Sequence, residues 1–432
     1  MTTDWDVIVI GAGPAGSVVA RQLALGGRRV LLLDKKRFPR RKVCGACLNH
    51  AAVMLLDDIG LGDILHDSRA VELSGFDLRS GSRRLNLPLP SGRAVSRSVL
   101  DQQLVEAAIR AGVSFHDGVS ATVGEANDDG RIVELKHTTD SVRYQPERAS
   151  VRFAFAPAQP DASAFRLMNS ASAKVVLAAD GLGHPSLCDV REIRDRTARS
   201  SRIGAGCEVT AFPAEYTPGV IHMAVGRGGY VGLVCVESGA LNIAAAFDAR
   251  LIRDSGGPAC AAANVLSEAG FPAISAMAEA EWLGTPALTR STTPVAAERL
   301  FVLGDASGYV EPFTGEGMGW ALASAVALAP LAGTACDGWQ PSLAKTWSRE
   351  HARLVRRRQR TCRMLAAFLK SPTCVRWAML LLPKIPRLLQ PLVRGVSLPL
   401  CTPLACNGPE AARPIAVSRA PIAVVPFLDQ RP

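Results

Sequence analysis

Aromatic residues make up only 5% of this 432-residue chain and do not interleave with its basic clusters. No nucleic-acid recognition motif accompanies those clusters, so nucleic acid is the least supported partner even though the formal net charge is +10. That charge favours other phosphate-rich partners, namely anionic lipid or a diphosphate-bearing ligand. The longest apolar runs are read at about half of the roughly 20 residues that a bilayer-spanning helix needs, so no such helix is expected. The opening MTTDWDVIVIGAG places an acidic strand where a signal peptide requires a basic start. The chain therefore reads as cytoplasmic. Its 11 cysteines follow no regular spacing, which argues for reduced thiols rather than a disulfide framework.

With 48% hydrophobic and 20% charged residues, the chain is expected to fold into two or three domains rather than remain disordered. Residues 6–10 (DVIVI) form a short β-branched run that ends in GAGPAGS, a buried parallel strand meeting a glycine turn. Gly11, Gly13 and Gly16 fit G-x-G-x-x-G. The first permits the tight turn, the second lets backbone approach a pyrophosphate, and the third lets the next helix pack closely on the sheet. That helix, at about residues 15–25, beginning at Ala15 just after Pro14, aims its positive dipole end at phosphate, which makes Pro14 and Ala15 cofactor-side candidates. GGRRVLLLD then supplies a second strand ending in Asp34, followed by Lys35, where an acidic side chain binds an adenosine ribose. Strand, glycines, helix, strand and acid in this order indicate a Rossmann-like fold that binds an adenine dinucleotide. No second unit of this kind is found, since residues 226–232 (GRGGYVG) lack a following helix and read as strand and turn.

FAD and NAD are separated far downstream, in LFVLGDASGYVEPFTGEGMGWALASA. Gly304 and Asp305 follow the apolar strand 300–303 in a pattern that resembles the Gly-Asp motif of the p-hydroxybenzoate hydroxylase superfamily of flavoproteins. The resemblance implies that Asp305 binds the ribityl chain of FAD. Residues 312–322 (PFTGEGMGWAL) are similar to the P-x-x-G-E-G-(I/M) loop of the geranylgeranyl reductase branch. This implies that Gly315, Gly317 and Met318 lie beside the flavin ring, where a helix N-terminus stabilises the charge of the reduced cofactor. Glu316 reads equally as a supporting residue or as an ordinary acid of a first helical turn. Residues 97–104 (RSVLDQQL) resemble the family's R-x-x-(F/L)-D-x-x-L helix start, which implies that Arg97 reaches the FAD pyrophosphate or ribityl region. Asp180 and Gly181 resemble its Asp-Gly motif, although Gly183, His184 and Pro185 depart from D-G-A-x-S and leave the place of the serine open between Ser186 and none.

The segment RKVCGACLNH contains Cys44 and Cys47 at Cys-x-x-Cys spacing, with His50 beyond. In geranylgeranyl reductase-like proteins a (K/R)-x-C-G motif passes close to the flavin, and Lys42, Cys44 and Gly45 match it. The resemblance makes Cys44 a flavin-side residue and the candidate catalytic group, with Cys47 a packing residue. A flavin-coupled dithiol remains a second reading. Zinc is disfavoured because the further ligands of a four-coordinate site are missing.

The expected fold class is α/β, with a Rossmann-like FAD-binding domain (residues 1–70, 93–187 and 290–341), an inserted, mostly antiparallel β-sheet domain for substrate (71–92 and 188–289) and a basic helical region (342–405) before an irregular tail (406–432). Arg349, Arg353, Arg356, Arg357, Arg358, Arg360 and Arg363 crowd the helical region, with Lys384, Arg387 and Arg394 beyond. It reads equally as a peripheral segment on an anionic membrane or as a lid over the substrate cavity. The resemblance implies an FAD-dependent oxidoreductase that reduces carbon–carbon double bonds of an apolar isoprenoid or polyketide-derived substrate, with NAD(P)H or a reduced carrier binding transiently. A monooxygenase on the same fold and a non-catalytic flavin-binding membrane protein are the alternatives. A halogenase is disfavoured, because the W-x-W-x-I-P motif is not found.

Overall fold

The computed structural model describes residues 3–137, 168–311, 315–370 and 374–375. The expectations placed on Lys384, Arg387, Arg394 and the tail 406–432, and on residues 312–314 of the glycine loop, fall outside them.

The strand Trp5–Ile10 lies at the centre of a sheet, parallel to Val30–Asp34 on one side and to Ser170–Ala178 on the other. Val7, Ile8 and Val9 are fully buried, as a run without polar alternation requires when both sheet faces are covered. Ser114–Asp117 extends the sheet beyond Val30–Asp34, and Leu300–Val302 extends it beyond Ser170–Ala178. The chain thus returns after nearly the whole fold to place its second glycine turn near the first.

Helix Pro14–Leu25 packs against helix Gly317–Asp337. The second helix corrects the expectation of short apolar runs: it has 21 residues and is apolar enough to cross a bilayer. Alanine, glycine and serine interrupt its large hydrophobic residues, so the run is less conspicuous than its lack of charge makes it. About two thirds of its apolar stretch is buried inside the protein, which makes it a core helix packed beside the first sheet.

A second sheet runs in the order Leu283–Ala287, Ile203–Val209, Leu241–Phe247, Gly229–Cys235, Val220–Gly226, Val71–Ser80, Arg83–Ala94 and Cys47–Leu48. All neighbours are antiparallel except Val220–Gly226 with Val71–Ser80. Alternation gives this sheet two faces. Cys207, Val231, Leu233, Ile243 and Ala245 pack beneath helix Pro258–Glu268. Met223, Tyr230 and Ala246 belong to the opposite face, with Leu85 from the hairpin.

Two helical segments, Pro341–His351 and Arg357–Leu369, follow the core helix and are joined by a π-turn. Trp347 is fully buried and its indole N–H donates to the Val302 carbonyl at 3.0 Å. One turn on, Nε2 of the buried His351 lies 2.8 Å from the Ser307 hydroxyl. Burial, reinforced by Arg356, pushes the His351 imidazole down from 6.5 to about 3. The unfolded chain then takes up a proton at a pH where the folded chain does not, so stability falls as pH drops from about 6.5 towards 3. Between pH 7 and 5 the expected loss is on the order of 2 kcal/mol. Urea unfolding at the two pH values checks this, and His351→Gln is expected to flatten the difference.

Candidate functional site: a nucleotide cradle opening on an apolar chamber

The two sheets enclose a cavity of about 360 Å³ lined by residues from both. At one end it is bounded by the N-terminus of helix Pro14–Leu25, whose N-cap is Gly13 and lacks any side-chain cap. A Cβ added at Gly13 would lie 3.6 Å from Nη2 of Arg97 and 3.8 Å from Nη2 of Arg40. The bare face of this glycine therefore looks onto two guanidinium groups.

Those cations are held by carboxylates behind them. Arg97 donates from Nε and Nη2 to the two oxygens of Asp101, both at 2.8 Å, one helical turn further along Arg97–Arg110. Arg40 pairs with Asp101 and with Asp34, each at 3.2 Å, and its Nε has no partner. Asp34 also accepts the backbone N–H groups of Ala12 and Lys36, both at 2.9 Å. The ribose carboxylate expected from sequence thus clamps the glycine turn and orients Arg40. Burial opposes the charge on Arg97, but Asp101 outweighs it and holds the guanidinium well above its usual value. Lys42, also on the cavity wall, is pushed down by burial and then by Arg97, against the pull of Asp305. A helix N-terminus without a cap, a bare glycine and an Arg40 Nε without a partner fit a pyrophosphate.

The second glycine turn arrives beside the first. Gly304 has φ +60°, and a Cβ there would sit 2.8 Å from the Cβ of Ala15. Asp305 reaches the cavity wall, as do Gly315, Gly317 and Met318 at the start of the core helix. Glu316 is buried, and its Oε2 accepts from the Cys362 thiol at 3.1 Å, which ties the loop to the last helix.

Pro14, Ala15, Cys44, Gly45 and Arg97 join Gly13 and Asp305 on the wall, whereas Gly11, Gly16, Asp34, Lys35, Asp180 and Gly304 do not line it. Gly11 and Gly16 act through packing: Cβ atoms there would lie 2.5 Å from the Ala179 carbonyl oxygen and 1.8 Å from that of Gly11. Lys35 is exposed. Asp180 accepts the Ser186 N–H at 2.9 Å, which places Ser186 against the Asp-Gly turn despite the altered spacing.

Cys44 and Cys47 both line the cavity and both are free. The Cys47 thiol donates to the Gly45 carbonyl at 3.0 Å, and burial pushes it well above the usual thiol range, so it stays protonated. The Cys44 carbonyl accepts from Nδ2 of Asn242 at 3.0 Å, so the second sheet pins this loop in place.

Sequence reasoning missed Arg40, Asp101, Asn242, Tyr230 and Tyr309. Asp101 left a signal, since Arg97 and Asp101 stand at i,i+4 on one helix face. Arg40 lies in a run of three cations (RRK), and nothing local distinguishes Arg40 and Lys42, which turn inward, from the exposed Arg41. Tyr230 and Tyr309 reach the cavity only through the sheet register.

Residues 4–147 match the family model of the FAD binding domain. This stretch is thus similar to an FAD-binding domain. The chain is 39% identical over 137 residues to menaquinone reductase of Mycobacterium tuberculosis, covering 30% of this chain and 33% of that protein. It is 36% identical over 146 residues to digeranylgeranylglycerophospholipid reductase 1 of Methanothermobacter thermautotrophicus, covering 32% and 35%. The alignments thus span about a third of the length of these curated relatives. Among solved structures, the flavin-dependent brominase Bmp2 superposes with a TM-score of 0.66 at 16% identity, over 91% of this chain and 93% of the brominase. Likeness at that identity establishes the shared fold alone, a Rossmann-like half with a second β-sheet.

Proposed function

We propose that the protein is an FAD-dependent oxidoreductase that saturates a carbon–carbon double bond of an apolar isoprenoid or polyketide-derived compound. NAD(P)H or a reduced electron carrier would bind transiently as reductant. The observation that carries this reading is the continuity of the cavity: Arg97 and Asp305 share one space with Phe76, Leu78, Leu85, Leu87 and Met223. Bound FAD supplies hydride transfer there. Arg40, Arg97 and the start of the first helix bind its phosphates, and the leucine-rich walls exclude water and offer no partner to a charged substrate. Burial pushes the phenols of Tyr230 and Tyr309 well above their usual range, so both keep their protons at neutral pH on the cavity wall. Each can hold or give up a proton beside a reacting carbon. The reductase names of the two sequence relatives support the same direction of chemistry.

The test is anaerobic reduction of the yellow protein, followed by mixing with menaquinone and with geranylgeranyl lipids. Reoxidation with a product carrying one added hydride and one solvent proton is the expected result. Substrate-dependent oxygen uptake with a hydroxylated product would assign a monooxygenase instead, and failure of every acceptor would leave a flavin-binding protein without this activity.

Filling the chamber separates its role from that of the cradle. A Cβ at Gly232, on the chamber wall, would lie 3.2 Å from the flexible end of Met223. Gly232→Phe is expected to keep FAD bound and reducible while turnover falls roughly tenfold or more. Flavin absorbance and steady-state rates read the two effects separately.

A further inference from the structure

Helix Arg357–Leu369 is fastened to the nucleotide-binding half by its inner face. Gln359 donates to the Gly308 carbonyl at 2.9 Å, and Cys362 donates to Glu316. Its outer face carries Arg357, Arg360, Thr361, Met364 and Phe368, all exposed and recurring at helical spacing. Met364, at 68%, is the most exposed large hydrophobic side chain among the described residues. Phe368 is 38% exposed and also lines the chamber, so the chamber reaches the surface beside this stripe. A stripe that runs from guanidinium groups to bare apolar side chains and ends at the mouth of a hydrocarbon-lined cavity matches a surface whose phosphates overlie acyl chains.

We propose that this stripe docks the protein on an anionic phospholipid bilayer. Arg357, Arg360 and the neighbouring exposed Arg363 lie among headgroup phosphates, and Met364 and Phe368 enter the acyl boundary, so that the chamber opens on the membrane phase. Only the last clause rests on reading the chamber as a site for an apolar substrate. The docking itself follows from charge complementarity and exposed apolar surface, because each arginine near an anionic leaflet strengthens binding roughly fivefold and the apolar residues contribute independently of salt.

Flotation of the full-length, FAD-loaded protein with vesicles tests this. Binding to phosphatidylglycerol–phosphatidylcholine vesicles is expected, with little to phosphatidylcholine alone. The double variant Arg357→Glu, Arg360→Glu is expected to bind at least about tenfold more weakly. Met364→Glu should remove the part of the binding that survives high salt, and flavin absorbance verifies that each variant is folded. Lack of binding to the anionic vesicles, equal binding to both vesicle types, wild-type binding by the double variant, or displacement by duplex DNA would each overturn the proposal. Flotation requires no turnover, so a failed reductase assay leaves this result readable, and failed flotation leaves the reductase reading standing.

Discussion

Gly16→Ala is expected to abolish FAD binding and to destabilise the fold by about 3 kcal/mol or more. The added Cβ would lie 1.8 Å from the Gly11 carbonyl oxygen and 3.0 Å from its carbonyl carbon, backbone atoms that no side-chain rotation can clear. The first helix must move off the glycine turn, carrying its open N–H groups away from the phosphate position. Gly13→Ala provides the contrast. Its Cβ would meet only guanidinium atoms at 3.6 Å and beyond, and its backbone, at φ −80°, accepts alanine. That variant is expected to keep its far-ultraviolet circular dichroism and unfolding midpoint yet bind FAD at least tenfold more weakly, because the methyl group occupies space a phosphate needs. Titration with FAD followed by absorbance, alongside thermal unfolding, checks both. Equal stability of the two variants would show that Gly16 has no packing role.

Asp101→Asn carries the second large effect. Asp101 is fully buried and receives both hydrogen bonds from Arg97, itself 7% exposed, together with an ion pair from Arg40. Removing that charge leaves Arg97 buried without a counter-ion, an arrangement that costs about 3–5 kcal/mol. The penalty is expected to be larger in the apoprotein than with FAD bound, because the pyrophosphate returns negative charge to the same guanidinium groups. Urea unfolding with and without FAD measures the two costs, and an identical loss in both forms would show that Arg97 does not face the phosphates.

The nucleotide-binding end is legible in the sequence because its chemistry is local. A turn, a helix start and an acid at the end of the next strand are set by residues a few positions apart, and Trp5–Ile10, Pro14–Leu25 and Val30–Asp34 stand where the glycine spacing requires. Asp34 is the instructive exception. Its position at a strand end is visible, but its Arg40 partner depends on how the RRK loop folds back, which no spacing reveals. The chamber is legible only as an alternating pattern. Which face of Gly229–Cys235 looks inward, and hence that Tyr230 rather than Val231 reaches the cavity, depends on pairing with Leu241–Phe247 and Val220–Gly226. The core helix Gly317–Asp337 was obscured by its own small residues, whose modest individual hydrophobicity hides a long uncharged span. The basic helices are visible as charge, but Arg356 turns inward to the Thr292 carbonyl while Arg357 stays outside, a difference that the sequence alone does not carry.

The attachment of Pro341–His351 has a consequence for dissecting this protein. Trp347 hangs from the Val302 carbonyl and His351 from Ser307, directly beneath the turn that presents Asp305. The nucleotide-binding half is therefore not a detachable module that ends with its last strand. A chimaera or truncation that stops before Pro341 would leave an indole-sized hole under the cofactor's floor, so grafting this half onto another substrate sheet requires that helix to travel with it.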